Sequence, residues 1–225
     1  MSIRDRILAL GVAVATALWL GFAATPARAA TPSETIDRVA SQVIEILKDK
    51  SLDQATRRRR VEDVAYRSFD FDVISKLVLA RNWATLSPEQ QKRFVDEFKQ
   101  HLSVTYGKNL DSYANEKVVL LGDREEARGD WSVKTKIARG GGNDDILVDY
   151  RLRKVAGSDE WKIIDVTIEG VSLVANFRSQ FQEIMASGGA DRMLALLAEK
   201  NAKGESILPP EKRGGPKGAT ATAQP

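Results

Sequence analysis

The segment RGDWSVKTKIARGGGNDDILVDYRLRK, residues 128–154, decides the fold class of this chain. Apolar and polar side chains alternate through its first part and again through its last part, and a glycine-rich run at 140–143 separates the two. Alternation is typical of a strand with one buried and one solvated face, and glycine and asparagine tolerate the positive φ angles of a hairpin. The segment therefore predicts two antiparallel strands, 128–138 and 145–154.

The alternation also assigns side chains to faces, since neighbouring residues of a strand point to opposite sides. The predicted buried face carries Trp131, Val133, Thr135, Ile137, Ile146, Val148, Tyr150 and Leu152. The predicted solvated face carries Lys134, Lys136, Asp149, Arg151 and Arg153. Asp149 and Tyr150 consequently cannot reach one pocket, which argues against an enzyme that uses both.

Two flanking segments complete the sheet. Residues 117–121 and 160–168 have strand-like patterns, and Gly157-Ser158-Asp159 is a typical hairpin connector. We expect an antiparallel sheet of about four strands with one face buried.

The rest of the mature chain predicts helices, because apolar residues recur at intervals of three and four. The predicted helices are 33–50 with Ser33 as cap, a second from Asp53, 71–79 after Asp70 or Asp72, 88–113 after Ser87, 171–187 ended by Gly188-Gly189, and a last one around 193–197. With the sheet, these segments predict the α+β class.

The N-terminus has the pattern of a cleavable signal peptide. Arg4 and Arg6 precede a charge-free run, residues 7–27, that ends in small residues. We expect a signal at 1–30, one α+β domain at 31–205 and a disordered Pro/Gly/Lys tail at 206–225. An uncleaved anchor is the alternative, since about 20 apolar residues can span a bilayer.

Composition excludes several classes of site. The chain has no Cys, which excludes disulfides, thiolate metal ligands and a lipoprotein acylation site. Its formal net charge of +3 is too mild to indicate nucleic-acid binding. Its one histidine, His101, cannot form a histidine-rich metal site, and we expect it at the core boundary with its polar tip in water. No catalytic residue, metal or cofactor is predicted.

The run Arg57–Arg60 admits two interpretations. It could form a docking surface for a membrane or partner, with Arg81, Lys92 and Arg93 added if they lie nearby. It could also be a solvated helix face, which is the usual role of a charge run. Because four consecutive residues cover every side of a helix, some of these arginines must lie along the core edge in either case.

Two stretches resemble the MlaC family, also called toluene-tolerance Ttg2 proteins, which are periplasmic phospholipid carriers. The first is FDFDVISKLVL at 69–79, continued by SPEQQ at 87–91 and by Phe94, Phe98 and Tyr106. The second is WKIIDVTIEGVSLV at 161–174, continued by Phe177 and Phe181. The likeness runs from about residue 33 to residue 203.

The resemblance implies an NTF2-like sheet wrapped by about six to seven helices around an apolar lipid pocket. It implies a soluble, monomeric carrier of phospholipid that shuttles lipid between outer- and inner-membrane components of an ABC transport system. The implied partners are an inner-membrane MCE-domain protein and an outer-membrane lipoprotein. A sister branch associated with hopanoids leaves the cargo open. Two competing hypotheses are an enzyme that acts on a small apolar substrate and a structural adaptor.

On the carrier hypothesis, the facing apolar stripes predict the lipid-binding residues. They are Phe98, Leu102, Tyr106, Val133, Ile137, Val148, Tyr150, Val171, Val174, Phe177 and Phe181. The alternative is that these stripes form only a solid core, which is the commoner role of an apolar helix face.

Overall fold

The computed structural model describes residues 29–107, 116–139 and 144–209. Its helices are α1 (Pro32–Lys48), α2 (Gln54–Ser68), α3 (Phe71–Leu79), α4 (Pro88–Tyr106) and α5 (Leu173–Lys203). Its strands are β1 (Lys117–Glu125), β2 (Trp131–Ala138), β3 (Ile146–Lys154), β4 (Trp161–Ile168) and β5 (Val171–Ser172). The predicted α+β class is confirmed. The signal segment, the hairpin connector at 140–143 and the tail from residue 210 lie outside the described residues.

The five strands form one antiparallel sheet in the order β1-β2-β3-β4-β5. Val133 pairs with Tyr150, Thr135 with Val148, and Ile137 with Ile146. The two central strands therefore share the face that alternation predicted. We call the face that bears these residues the inner face.

Two bulges interrupt the alternation of the outer strands. In β1 the register shifts between Leu120 and Gly122, and Gly122 has a φ of 145° that favours glycine. In β4 the register shifts so that Asp165 pairs with Arg151 and Ile163 with Leu152, leaving Ile164 as the extra residue. The strand was predicted to end at Leu121, but β1 runs to Glu125 because its pairing with β2 resumes after the first bulge.

The helix starts follow local capping chemistry. Ser87 and Gln90 form a reciprocal capping box at α4, and Asp53 and Asp70 cap α2 and α3. The prediction of Ser33 as the cap of α1 is wrong. Thr31 is the cap, because Pro32 takes the first helical position and Glu34 completes a capping box with Thr31.

The C-terminal helices differ from prediction in two ways. The helix expected from Val171 begins at Leu173, because Val171 and Ser172 pair with β4 as a short strand. The two helices expected at 171–187 and around 193–197 form one element, α5, with a non-helical break at Gly189, where φ is 70° and ψ is −168°. At the end of α4, the helix was predicted to run to residue 113. It ends at Tyr106, and residues 108–113 lie outside the described part of the chain.

Two apolar clusters hold the fold together. The helical cluster joins α3, α4, α5 and Leu208, and its buried centre includes Phe94, Phe98, Phe177 and Phe181. The sheet cluster joins Ile36 of α1 to Val133, Leu152 and Ile163. Phe69, between α2 and α3, packs against both clusters.

The chain stays packed beyond α5. Leu208 is 1% exposed and belongs to the helical cluster, and Ser206 accepts a hydrogen bond from Thr105. The domain boundary expected after residue 205 therefore falls before the last core residue.

Candidate functional site

The inner face of the sheet changes character along its length. Near Trp131 and Leu152 it is covered by the sheet cluster, which also takes Val133 and Tyr150. Toward the other end it carries Val148 with Thr135, then Ile137 with Ile146. We call this other end, with the inner-face residues Val118, Leu120, Thr135, Ile137, Ile146, Val148 and Ile168, the distal end.

The distal end is apolar but belongs to neither cluster. Val148 is 3% exposed and Thr135 is 1% exposed, whereas Ile137, Ile146 and Ile168 are half-buried. None of these five residues is a member of the helical or the sheet cluster of the described chain. The inner face thus has a stretch of apolar side chains beyond those that the two cores use.

On the helical side, the predicted site residues lie close together. Phe98, Phe177 and Phe181 are fully buried, and their ring centroids are 5.0–6.1 Å apart. Val174 is 4% exposed, and Leu102 and Tyr106 pack at the edge of the same cluster. The three phenylalanines pack against one another as core, whereas Leu102 and Tyr106 remain half-buried on the C-terminal half of α4.

The structure does not bring all eleven predicted residues into one group. Six of them lie in or against the helical cluster, and Val133 and Tyr150 lie with the sheet cluster. Ile137 and Val148 lie at the distal end. Val171 is 45% exposed at the sheet edge, because it is a strand residue paired with Ile168 and not part of a helix that packs inward.

Five residues of the distal end were not among the predicted site residues: Val118, Leu120, Thr135, Ile146 and Ile168. Alternation in β3 had already placed Ile146 on this face, so the signal was present. The side of Ile168 is harder to predict because the bulge at Ile164 reverses the alternation within β4.

Exposed large apolar residues also gather at the distal end. Among the described residues they are Val119, Leu120, Leu121, Leu147 and Val171, and we call them the apolar rim. Leu120 pairs with Thr135 and Val171 with Ile168, on the inner face. Val119 and Leu147 both pair with Lys136, on the outer face. The rim therefore surrounds the distal end on both faces of the sheet.

Thr135 and Tyr150, the polar inner-face residues nearest the distal end on β2 and β3, are hydrogen-bonded and uncharged. The Thr135 hydroxyl donates to the Val148 carbonyl oxygen at 3.0 Å. Burial raises the pKa of Tyr150 to about 12, although a hydrogen bond with the Thr135 side chain acts in the opposite direction. Tyr150 is therefore neutral at physiological pH, so neither side chain adds a charge to this face.

The outer face of β2 and β3 is charged. Asp130, which is fully buried, is paired with Arg151 at 2.8 Å and with Arg153 at 2.6 Å. A depression of about 290 Å³ on this face is lined by polar residues that include Glu126, Asp149 and Arg151. The pairing of Asp149 with Lys134 and of Tyr150 with Val133 agrees with the prediction that Asp149 and Tyr150 point to opposite faces.

The interpretation of His101 as a boundary residue with a wet tip is wrong. His101 is fully buried, and its Nδ1 lies 2.7 Å from Oδ1 of Asn201. The backbone N–H of Ile207 donates to its Nε2 at 3.1 Å, which assigns the proton to Nδ1. Asn201 in turn donates to the Glu97 backbone oxygen. His101 thus joins α4 to the end of α5 and to the segment after it, an arrangement that helical periodicity does not reveal.

The arginine run is divided between the fold and its surface. Arg57 donates to the carbonyl oxygens of Asp49 and Leu52, and the Arg58 stem lies beside Gly107. Arg59 and Arg60 are exposed. The expectation that part of the run lies along the core edge is confirmed, and a docking role for it stays a prediction.

Metal-binding clusters and membrane spans are both absent from the described residues. No group of three or more His, Cys, Asp or Glu side chains that could hold a metal ion occurs among them. None of the helices in this part of the chain is long and apolar enough to cross a membrane.

A family model described as "MlaC protein" matches residues 37–199, which is more than half of the chain. The chain belongs to the MlaC family. The family resemblance of the two sequence stretches is thereby confirmed.

This MlaC-family protein is similar in sequence to two relatives of known name. It is 27% identical over 169 residues to the toluene tolerance protein ttg2D of Pseudomonas putida, covering 72% of this chain and 77% of the relative. It is 24% identical over 123 residues to the intermembrane phospholipid transport system binding protein MlaC of Haemophilus influenzae, covering 54% of this chain and 58% of the relative.

A solved structure shares the fold of this MlaC-family protein. It is the phospholipid-binding protein from Ralstonia solanacearum, determined in complex with a phospholipid at 1.53 Å resolution. The TM-score is 0.70 at 25% identity, and the match covers 78% of this chain and 99% of the other.

Proposed function

We propose that this protein is a periplasmic phospholipid carrier that holds acyl chains against the distal end of its sheet. It shuttles lipid between outer- and inner-membrane components of an ABC transport system. Membership of the MlaC family supports this proposal, as do a relative named for intermembrane phospholipid transport and a similar structure that contains a phospholipid.

The observation that carries the proposal is the apolar distal end, which lies outside both core clusters. Val148, Ile137, Ile146 and Ile168 share the inner face, and none of them belongs to either core cluster. Along β2 and β3, apolar side chains continue on the inner face beyond the two core clusters. Such side chains are available to contact a bound ligand. We also assign Leu102 and Tyr106 to the site, because both are half-buried at the edge of the helical cluster on α4.

The chemistry of this face suits acyl chains. Each methylene removed from water contributes about 0.8 kcal/mol, so two chains bind tightly without a charged anchor. The Thr135 hydroxyl donates a hydrogen bond to a backbone carbonyl oxygen, and the Tyr150 side chain is neutral. The site therefore selects for apolar chains and places little constraint on the head group.

The two members of the apolar rim that pair with inner-face residues, Leu120 and Val171, support a route into the site. Leu120 and Val171 lie at the two edges of the row that contains Val148. Their exposure keeps the mouth of the proposed site apolar. A chain that leaves a membrane or a partner protein can then pass over apolar side chains rather than through water.

The proposed location and partners are supported by the sequence and by the family. The signal-like pattern at residues 1–30 supports export to the periplasm. The proposed partners are an MCE-domain protein of the inner-membrane transporter and a lipoprotein of the outer membrane. Phospholipid is the cargo, and no cofactor or catalytic residue is proposed.

The proposal is tested by charging the inner face at the distal end. Ile137→Glu changes a half-buried residue outside both clusters, so we expect a folded protein that copurifies with less than a tenth of the wild-type phospholipid. Native mass spectrometry and extraction of bound lipid measure the stoichiometry. Val174→Glu is less informative because Val174 is 4% exposed in the helical cluster, and a buried carboxylate there destabilises the fold.

Leu147→Glu is the matched control. It makes the same apolar-to-acidic change on the outer face, where Leu147 is 53% exposed. We expect Leu147→Glu to retain lipid at wild-type stoichiometry. Retention of lipid by a folded Ile137→Glu variant would place the binding site elsewhere.

A further inference from the structure

A second depression, of about 390 Å³, lies away from the distal end. It is bordered by the α2–α3 junction, by α4 and by the turn between β3 and β4. We call it the aromatic groove. It is lined by the rings of Tyr66, Phe69 and Phe71, by the carboxylates of Asp70, Asp72, Asp96 and Glu160, and by Lys99 and Lys162.

The three rings form a continuous floor. Tyr66 and Phe71 meet edge to face with centroids 5.8 Å apart, and Phe69 and Phe71 are 6.0 Å apart. The Tyr66 hydroxyl is fixed by a 3.1 Å hydrogen bond with the Ser103 hydroxyl on α4. All three side chains are half-buried, so their faces remain accessible from the groove.

A cation of the protein itself occupies this floor. The Lys99 ammonium nitrogen lies 3.8 Å from the Tyr66 ring centroid and 5.6 Å from that of Phe71. Within the described chain, Lys99 forms no ion pair with a carboxylate. An ammonium group held only by rings marks the floor as a site for cations.

The charge around the floor favours a further cation. Four carboxylates line the groove against two ammonium groups, which gives it a net negative charge. Asp72 is exposed, and the ion pair of Asp96 with Lys92 is largely solvated. Such exposed pairs are weak and exchange readily for another cation.

We propose that the aromatic groove binds a basic segment of a partner protein, whose lysine or arginine side chain replaces Lys99 on the aromatic floor. The groove spans three elements and is larger than one side chain, so a short extended segment fits better than an isolated ammonium ion. The net charge of the groove supplies the complementarity, and Lys99 acts as an internal competitor. This docking site does not depend on lipid binding.

Because Lys99 competes with the partner for the aromatic floor, removal of its ammonium group should strengthen peptide binding. Lys99→Met keeps an apolar stem but frees the floor, so a short peptide of alternating glycine and lysine should bind about two- to fivefold more tightly than to wild type. Tyr66→Leu should weaken binding by a similar factor, and Tyr66→Phe, which keeps the ring, should restore it. Isothermal titration calorimetry with the full chain at low ionic strength measures these affinities.

Three controls separate the outcomes. Lys117→Met removes an exposed lysine outside the groove. If it raises the peptide affinity as much as Lys99→Met does, the effect comes from net charge alone and the proposal is overturned. Equal binding of a peptide with norleucine in place of lysine overturns cation recognition. If removal of residues 210–225, which include Lys212, Arg213 and Lys217, has the effect of Lys99→Met, the occupant is the chain's own C-terminal segment and the partner proposal fails. Thermal unfolding confirms that each variant is folded.

Discussion

Asp130 shows how a single buried charge is held in this fold. Its carboxylate is fully buried, and both arginines that pair with it come from β3. Burial alone would raise the pKa of Asp130, but the hydrogen bond and charge of Arg153, together with the charge of Arg151, outweigh burial and hold that pKa below its usual value. The carboxylate therefore ties the start of β2 to β3.

We expect Asp130→Asn to lower the free energy of unfolding by about 2 kcal/mol at neutral pH. Breaking a fully buried pair costs about 3–5 kcal/mol, but Arg151 and Arg153 are partly solvated, which reduces the loss. Because the folded-state pKa is lowered, this stability is present above the unfolded-state pKa and is lost as pH falls through the folded-state value. Urea unfolding at several acidic pH values should therefore show a flatter profile for Asp130→Asn than for wild type.

Tyr150 has the opposite linkage. Burial raises its pKa to about 12, so the folded chain retains this proton at a pH where the unfolded chain has lost it. The resulting stability is present below about pH 10 and is lost as pH rises toward 12. We expect Tyr150→Phe to flatten the alkaline loss of stability. Ultraviolet titration of tyrosinate should show a step near pH 12 in wild type, and Tyr150→Phe should lack that step.

At the scale of elements, α5 depends on one backbone conformation. Gly189 has a φ of 70° and a ψ of −168°, a combination that is essentially restricted to glycine. The break lies between two buried stretches of α5, one with Phe177 and Phe181 and one with Met193 and Leu194. It lets both stretches pack into the helical cluster.

We expect Gly189→Ala to destabilise the protein by about 1–3 kcal/mol, because a Cβ is strained at this φ and ψ. Ser187→Ala is the control, since it adds no backbone strain and removes only a 2.9 Å hydrogen bond to Ile184. Its effect should stay within about 1 kcal/mol. If Gly189→Ala and Ser187→Ala unfold at the same urea concentration, a Cβ at residue 189 causes no backbone strain and the prediction fails.

The pattern of each element could be predicted better than its ends. Alternation gave the faces of β2 and β3 because both strands pair without interruption. It failed near Leu121 and Ile164, because a bulge inserts a residue and shifts the side chains that follow it. Val171 was misplaced for a related reason: its pairing with Ile168 depends on the turn at Glu169 and Gly170, whose φ angles are 50° and 79°.

At the scale of the whole molecule, the proposed lipid acts as part of the core. A ligand that binds only the folded state raises the free energy of unfolding by about 2.7 kcal/mol when its concentration is one hundred times its dissociation constant. For a domain of this size, each kcal/mol added to the free energy of unfolding raises the Tm by about 2–4 °C. We therefore expect removal of bound phospholipid to lower the Tm by about 5–10 °C.

Differential scanning calorimetry of lipid-loaded and delipidated protein measures this shift. Readdition of phospholipid should restore the higher Tm in wild type but not in Ile137→Glu. The same Tm before and after delipidation would contradict a cargo that completes the core.

The candidate site was predictable only in its components. The apolar stripes of α4 and α5 could be read from helical spacing, and so could the inner face of β2 and β3. Their division into a closed phenylalanine core and a distal end outside both clusters could not, because it depends on which side chains meet across elements far apart in sequence. Phe98 and Phe177 met in the core, whereas Ile137 and Val148 lie beyond both clusters.

Local sequence patterns were enough to predict the α+β class, the buried face of the central strands, most of the helix caps and the family. These properties rest on local spacing and on short-range hydrogen bonds, which neighbouring residues specify. The tertiary structure alone decided the burial of His101 between Asn201 and Ile207, the exposure of Val171 and the assembly of the aromatic groove. Each of these depends on contacts between distant segments, and a one-dimensional pattern does not contain the packing that brings such segments together.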